Sequence, residues 1–103
     1  MPENDVFRAL ADPMRRSLLD QLHQRDGQTL ADLCSQAEIS RQAVSKHLKI
    51  LEEANLITTL MEGRQKRHYL NPVPITRIAE RWTAKFQRHQ ASELIRLKRT
   101  LEE

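Results

Sequence analysis

The stretch SRQAVSKHLKIL, residues 40 to 51, separates apolar from polar side chains at helical spacing. With ~100° of turn per residue, its more apolar members share one side of a helix: Val44, His47, Leu48 and Leu51. The opposite side holds amide, hydroxyl and ammonium groups: Gln42, Ser45, Lys46 and Lys49. No acid lies there, and we expect Glu52 and Glu53 to come where the helix leaves this surface. The pattern predicts a helix that packs by one flank and offers the other to a polyanion.

A second helix is predicted just before it, in TLADLCSQA, residues 29 to 37. Thr29 suits the N-cap, and Asp32 comes close to completing a capping box. The apolar residues that follow share one helical face: Leu30, Leu33, Cys34 and Ala37. Ser40 is then the N-cap of the next helix, which we expect to run to about Ala54. Two helices joined by so short a turn form the helix-turn-helix arrangement.

The following residues change to the pattern of a β-hairpin. Strands are predicted over Ile57–Met61 and Lys66–Leu70, with the tip at Glu62–Gln65 around Gly63. The tip and the returning strand carry three cations: Arg64, Lys66 and Arg67. Such cations suit the backbone or the narrow, strongly negative minor groove of DNA.

Helices are also predicted on both sides of this unit. Upstream, Asp12 suits an N-cap, Pro13 the first helical turn, and Gly27 the C-cap. Downstream, a long helix is predicted from about Ile75 to Leu101. At ~1.5 Å per residue this helix would be about 40 Å long, whereas a domain of this size has a radius of gyration of about 13 Å. It would project from a monomer with its apolar residues partly uncovered.

We therefore expect a homodimer that forms through the terminal segments. Its predicted interface residues are Val6, Phe7, Leu10, Ile78, Trp82, Phe86, Leu94 and Leu97. An interface is favoured over a ligand pocket at Trp82 and Phe86, because the helix is too long to be buried alone. The expected organisation is a single domain over residues 1–103, with the helix-turn-helix at 29–54, the hairpin at 57–70 and the dimerisation helix at 75–101.

The composition fits one mostly α-helical domain with a small β-hairpin. The net charge of +3 is uneven, because residues 1–40 sum to −3 whereas 41–70 and 71–103 each sum to +3. This distribution suggests a polyanion partner, although a solvated basic surface explains charge alone equally well. Cys34 is the sole cysteine, and neither a signal pattern nor an apolar run of membrane length appears. We expect a cytoplasmic protein without membrane association.

The second helix of a helix-turn-helix enters the major groove of double-stranded DNA. Lys donates to phosphate or guanine, and Gln can pair with adenine. The residues predicted to contact DNA are Ser40, Arg41, Gln42, Ser45, Lys46 and Lys49 from the helix, and Arg64, Lys66 and Arg67 from the hairpin.

Three segments together resemble a known family: FRALADPMRRSLLDQL, SRQAVSKHLKILEEANLI and EGRQKRHYLNP. They look like the ArsR (arsenical-resistance repressor) family of winged helix-turn-helix regulators, and the resemblance covers about residues 5–75. It implies a winged helix-turn-helix fold, a homodimer, an inverted-repeat operator, and repression that a signal relieves. That signal would be a small molecule or a protein effector that the sequence does not identify.

Metal sensing in that family often uses a Cys-x-Cys pair on the first helix of the helix-turn-helix. Another family site lies on the C-terminal helix and combines an Asp-x-His with later His or Glu ligands. Here Cys34 stands alone, and His89 and Glu93 lack an upstream Asp-x-His. We expect no metal and no other cofactor, as in the non-metal-sensing branch. Cys34 and His47 lie on apolar flanks and are interpreted as packed residues.

An enzymatic role is not expected, because no nucleophile–base pair, paired carboxylate motif or phosphate loop appears. One alternative remains besides a DNA-binding repressor. The chain would then be an adaptor whose long C-terminal helix binds a different protein.

Overall fold

The computed structural model describes residues 2–102. Within these residues, five helices and one β-hairpin follow one another: α1 (Pro2–Leu10), α2 (Pro13–Gln24), α3 (Leu30–Cys34), α4 (Arg41–Glu53), β1 (Ile57–Glu62), β2 (Gln65–Leu70) and α5 (Val73–Glu102). The predicted mostly helical architecture with a small hairpin is confirmed.

Side-chain N-caps fix the first residues of α2 and α3 at the positions that the sequence predicts. The Asp12 carboxylate accepts hydrogen bonds from the backbone N–H groups of Met14 (2.8 Å) and Arg15 (3.3 Å). Partial burial tends to raise the pKa of Asp12, but these hydrogen bonds, with the nearby His47 and Arg15 charges, lower it on balance. Pro13 stands in the first turn, where its missing N–H is harmless.

A complete capping box starts α3. The Thr29 hydroxyl accepts from the Asp32 N–H at 3.2 Å, and the Asp32 carboxylate accepts from the Thr29 N–H at 3.1 Å. Hydrogen bonds from the Thr29 backbone and hydroxyl lower the pKa of Asp32. The helix is shorter than its apolar spacing suggests, since it ends at Cys34.

The prediction that Gly27 is the C-cap of α2 is wrong. The helix ends at Gln24, and its cap is Arg25 in extended conformation. Gly27 has a φ of +80° two residues later, in the turn that leads to the hairpin. A Cβ there would lie only 3.3 Å from the Tyr69 hydroxyl. Glycine is therefore required by backbone conformation and by the close approach of the hairpin.

A short segment at Gln28 pairs with the hairpin, and the sequence did not reveal this pairing. The hairpin strands pair from Ile57 with Leu70 to Glu62 with Gln65, so the turn has only two central residues. Gly63, the first of them, has a φ of +64°, as a type II′ turn requires. An isolated antiparallel bridge joins Gln28 to His68 on the far side of β2.

The core lies among α1 to α4 and the start of β1. Its most deeply buried side chains are Leu18, Leu22, Leu33, Val44, Leu51, Leu56 and Ile57. Val6 also belongs to this core, with only 3 % of its surface exposed. Its assignment to a dimer interface is therefore corrected, because α1 turns this side chain inward against the chain's own core.

The long helix α5 projects from the body. Its 30 residues correspond to a length of about 45 Å, and the described chain measures 70 × 26 × 26 Å. Its first turns pack mainly against α1 through partly buried Ile75 and Ile78. Every residue from 83 to 102 is exposed. Over the described residues, no helix is both long enough and apolar enough to cross a membrane.

The remaining predicted interface residues differ in exposure. Leu10, Ile78 and Trp82 are partly buried. Phe7, Phe86, Leu94 and Leu97 each expose about half or more of their surface. Trp82 and Phe86 pack against each other, with their ring centroids 5.6 Å apart.

We predict that Leu51→Ala lowers the free energy of unfolding by about 2–5 kcal/mol, because it leaves a cavity in a well-packed core. Leu51 is fully buried, whereas Leu60 on β1 is 58 % exposed. The matched change Leu60→Ala should alter stability by less than about 0.5 kcal/mol. Urea denaturation followed by circular dichroism measures both. Equal losses in the two variants would contradict the assigned core.

Candidate nucleic-acid interface

The two flanks of α4 face opposite environments. Val44, Leu48 and Leu51 are buried in the core. The predicted contact residues on the other flank are all exposed: Arg41, Gln42, Ser45, Lys46 and Lys49. The orientation inferred from spacing is thus the one that the structure has. This flank presents side chains that donate hydrogen bonds, and none of them is an acid.

Ser40 has a different task from its neighbours. Its hydroxyl accepts a hydrogen bond from the Ala43 N–H at 3.2 Å and caps α4. The first turn of α4 contains no acid, and Arg41 is its first residue. A cation at this end is unfavourable for the helix dipole by itself. An anion bound there would interact favourably with both the N-terminus and the arginine.

A polar clamp holds α4 against the first two helices. The Arg15 Nε donates to the carbonyl of Ala9 at 2.8 Å, and an Nη donates to that of Arg8 at 3.0 Å. Its other Nη lies 3.3 Å from the Nδ1 of His47. His47 is partly buried and hydrogen-bonded, as its position on the apolar flank predicts. The clamp fixes the helix that carries the exposed polar flank.

The three predicted cations of the hairpin have different surroundings. Arg64 lies exposed in the turn. The Nζ of Lys66 donates to the Glu52 carboxylate at 3.3 Å. Arg67 donates to the carbonyl of Gly27 at 2.8 Å and forms an ion pair with Glu62. Only Arg64 keeps the free position that the sequence suggests for a DNA contact.

Glu52 does not leave the surface as expected from the sequence. It lines a cleft of about 580 Å³ between α4 and the hairpin, which contains four cations: Arg41, Lys49, Arg64 and Lys66. A shallower groove of about 770 Å³ continues along α4 past Gln42 and Lys46. The two form one mainly basic surface around α4 and the hairpin. We call it the α4–hairpin surface.

No group of three or more His, Cys, Asp or Glu side chains is arranged to hold a metal ion within residues 2–102. Cys34 is a free, partly buried thiol on α3. His89 and Glu93 are both exposed on α5.

Comparison with known proteins decides the family. A helix-turn-helix domain model matches residues 10–59. The HTH-type transcriptional regulator YuzN of Bacillus subtilis is 35 % identical over 83 residues, which cover 75 % of this chain and 90 % of that protein. The solved structure of an ArsR-like transcriptional regulator from Rhodococcus sp. RHA1 is 31 % identical, with 88 % of each chain covered and a TM-score of 0.75. The chain belongs to the ArsR family.

Membership in the ArsR family makes the chain a DNA-binding transcriptional regulator with a winged helix-turn-helix fold. The transcriptional repressor SdpR of B. subtilis is also similar, at 38 % identity over 68 residues that cover 66 % of this chain and 74 % of that protein. In the vocabulary of the family, α3 and α4 are the helix-turn-helix and the hairpin is the wing. The family predicted from the sequence is confirmed.

Sequence reasoning missed the contacts that set the wing in place. The Gly27 N–H donates to the carbonyl of His68 and the His68 N–H to that of Gln28, each at 2.9 Å. The Nδ1 of His68 also lies 2.9 Å from the Gln28 carbonyl. The sequence marks this attachment through Gly27, but its position after α2 predicts a helix cap instead. Arg67 completes this attachment instead of remaining free for DNA.

We predict that Arg67→Gln loosens the wing, because it removes the bond to the Gly27 carbonyl. Backbone amide exchange at Gly27 and His68 should accelerate about tenfold, which corresponds to about 1.4 kcal/mol of local stability. Hydrogen exchange followed by NMR measures this effect. Arg64→Gln is the matched control, because it shortens an exposed arginine of the same hairpin. Similar exchange in the parent and Arg67→Gln would contradict the anchoring role.

Proposed function

We propose that this protein is a cytoplasmic, homodimeric repressor that binds an inverted-repeat operator, with α4 of each protomer in a major groove. The observation that carries the proposal is the exposed, acid-free polar flank of α4 opposite a buried apolar flank. Such a helix satisfies its packing on one side and leaves the other for base edges and phosphates.

Each side chain of the flank suits a particular contact. Gln42 lies near the N-terminal end of α4, where an amide can make a bidentate pair with adenine. Lys46 is one turn further and is suited to guanine or phosphate, and Ser45 beside it is short enough for either. Arg41 and Lys49 border the cleft towards the wing and are assigned to phosphates. Ser40 contributes mainly by holding the helix end in position.

Arg64 is the wing residue assigned to flanking DNA. It is exposed at the turn, on the same basic surface as Arg41 and Lys49. An arginine there can enter a narrow minor groove, where the negative potential is strongest. Arg67 is assigned to anchoring the wing, because its donors are engaged with the protein itself.

The exposed apolar residues of α5 support a homodimer. Phe86 and Leu97 are each 55 % exposed and Leu94 is 66 % exposed. Phe7 on α1 adds further exposed apolar surface near the start of α5. A second copy of the chain would cover these side chains through the same helices, as a two-fold symmetric interface does. Two α4 helices in one dimer then explain an operator with two half-sites.

Repression and its relief complete the proposal. The similarity to the repressor SdpR supports repression rather than activation. A signal would act by preferring a dimer geometry in which the two α4 helices no longer match half-sites about 34 Å apart. A small molecule or another protein is the proposed effector class. Membership in a family of regulators supports a non-enzymatic role.

We predict that Lys46→Ala and Arg64→Ala each weaken operator binding by about tenfold per protomer and flatten its salt dependence by about one charge per protomer. The operator duplex is first selected from a random pool and is expected to be palindromic. Fluorescence anisotropy at several salt concentrations then gives affinities and slopes.

Arg88→Ala is the control for loss of one positive charge, because Arg88 is exposed on α5, outside the α4–hairpin surface. Its affinity should stay within about twofold of the parent, since distant charges are screened. Unchanged affinity in both Lys46→Ala and Arg64→Ala would reject the proposed orientation on DNA.

We also predict a solution mass twice that of the 12.1 kDa chain. Phe86→Asp should convert the dimer into a monomer, because it would bury an unpaired carboxylate in the interface. Light scattering measures the mass. Leu60→Asp is the control, since Leu60 is almost equally exposed but lies on the wing. A monomeric parent would contradict the dimer and favour an adaptor whose α5 binds a different protein.

A further inference from the structure

An acid stands inside the basic α4–hairpin surface, and this position needs an explanation. Glu52 bridges two elements: its Oε1 accepts from the Thr59 hydroxyl at 3.2 Å, and its Oε2 accepts from the Lys66 Nζ at 3.3 Å. The bond to Thr59 fixes the carboxylate at the start of the wing. The bond to Lys66 draws that ammonium towards α4 instead of leaving it free in the cleft.

Stability alone does not account for the pair. The Lys66 side chain is 50 % exposed and that of Glu52 is 39 % exposed. Ion pairs in such positions contribute little to folding, because water and salt screen them. In a complex with DNA, a carboxylate among cations would repel the phosphates and would compete with them for one of those cations.

We propose that Glu52 limits the affinity of the wing for DNA by withholding Lys66 from phosphate. The inference rests on the proposed function, in which the α4–hairpin surface faces the duplex. Glu52 is a positioning residue here, because it acts through Lys66. Its carboxylate competes with the DNA backbone for the same ammonium group. Each protomer of the proposed dimer carries this restraint, so the effect on the binding free energy of the dimer is twice that of one protomer.

A purely structural role of Glu52 predicts the opposite effect of its substitution on DNA binding. If the Glu52 bonds to Thr59 and Lys66 served only to orient the wing, any loss of them would weaken DNA binding. The substitution Glu52→Gln separates these two roles. A glutamine keeps an oxygen that accepts from Thr59, but its NH₂ group does not bind an ammonium. The bond to Thr59 remains while Lys66 is released.

The experiment compares Glu52→Gln with Glu53→Gln. Glu53 is the next residue of α4, is exposed, and lies outside the α4–hairpin surface, so both variants have the same net charge. We expect Glu52→Gln to bind the selected duplex about eightfold more tightly per protomer at ~0.1 M salt, with a slope steeper by about 0.9 for each newly bound phosphate. Glu53→Gln should stay within about twofold of the parent.

A second background tests whether Lys66 carries the effect. In Lys66→Gln the ammonium is absent, so adding Glu52→Gln should leave the salt slope unchanged. An equal gain in affinity with no change of slope in both backgrounds would overturn the role of Lys66. Weaker binding by Glu52→Gln, or an effect equal to that of Glu53→Gln, would overturn the proposal as a whole. Hydrogen exchange at His68 verifies in each variant that the wing remains attached.

A failure of this proposal can be distinguished from a failure of the proposed function. If Lys46→Ala and Arg64→Ala weaken binding while Glu52→Gln behaves like Glu53→Gln, only the restraint by Glu52 is rejected. If Lys46→Ala and Arg64→Ala have no effect, the DNA-facing surface itself is rejected, and the role of Glu52 with it.

Discussion

The structure depends on the burial of one flank of α4 in the core. Val44 and Leu51 are fully enclosed and Leu48 is nearly so. A rotation of the helix about its axis would expose a leucine and bury Lys46 or Lys49 without a partner. The cost of an unpaired buried ammonium far exceeds the gain from any one apolar side chain. Core packing therefore decides which chemical groups α4 exposes to solvent, although these groups take no part in the core.

Polar contacts determine the positions of α4 and the wing more closely than core packing does. Arg15 joins the end of α1 to His47 on α4, and Arg67 joins the wing to the Gly27 turn. Both arginines use planar, multiply donating groups to reach carbonyls and a ring nitrogen in different elements. The wing and the recognition helix are thereby placed by separate attachments. Glu52 forms hydrogen bonds from α4 to both strands of the wing, so it is well placed to adjust one against the other.

The sequence predicted features that depend on neighbours a few residues apart. The Asp12 cap, the Thr29 capping box and the flanks of α4 all follow from local hydrogen bonds or helical period. Contacts between residues far apart in the chain escaped prediction. The Gln28–His68 bridge spans forty residues, and no local pattern marks it. The bonds of Glu52 to the wing escape prediction for the same reason, because helical spacing locates Glu52 on α4 but gives no indication of where the wing returns.

The projecting helix α5 links assembly to recognition in the proposed dimer. An isolated helix is only marginally stable in water, so its exposed half gains order mainly from what packs on it. The link that precedes α5 is bonded to the link that follows α4: the Asn71 N–H donates to the Leu56 carbonyl at 2.9 Å, and the Asn71 side-chain amide donates to the Asn55 carbonyl at 2.8 Å. In the proposed dimer, a change in how two α5 helices cross would be passed through these bonds towards α4. The spacing of the two α4 helices would then follow from the proposed dimer contact.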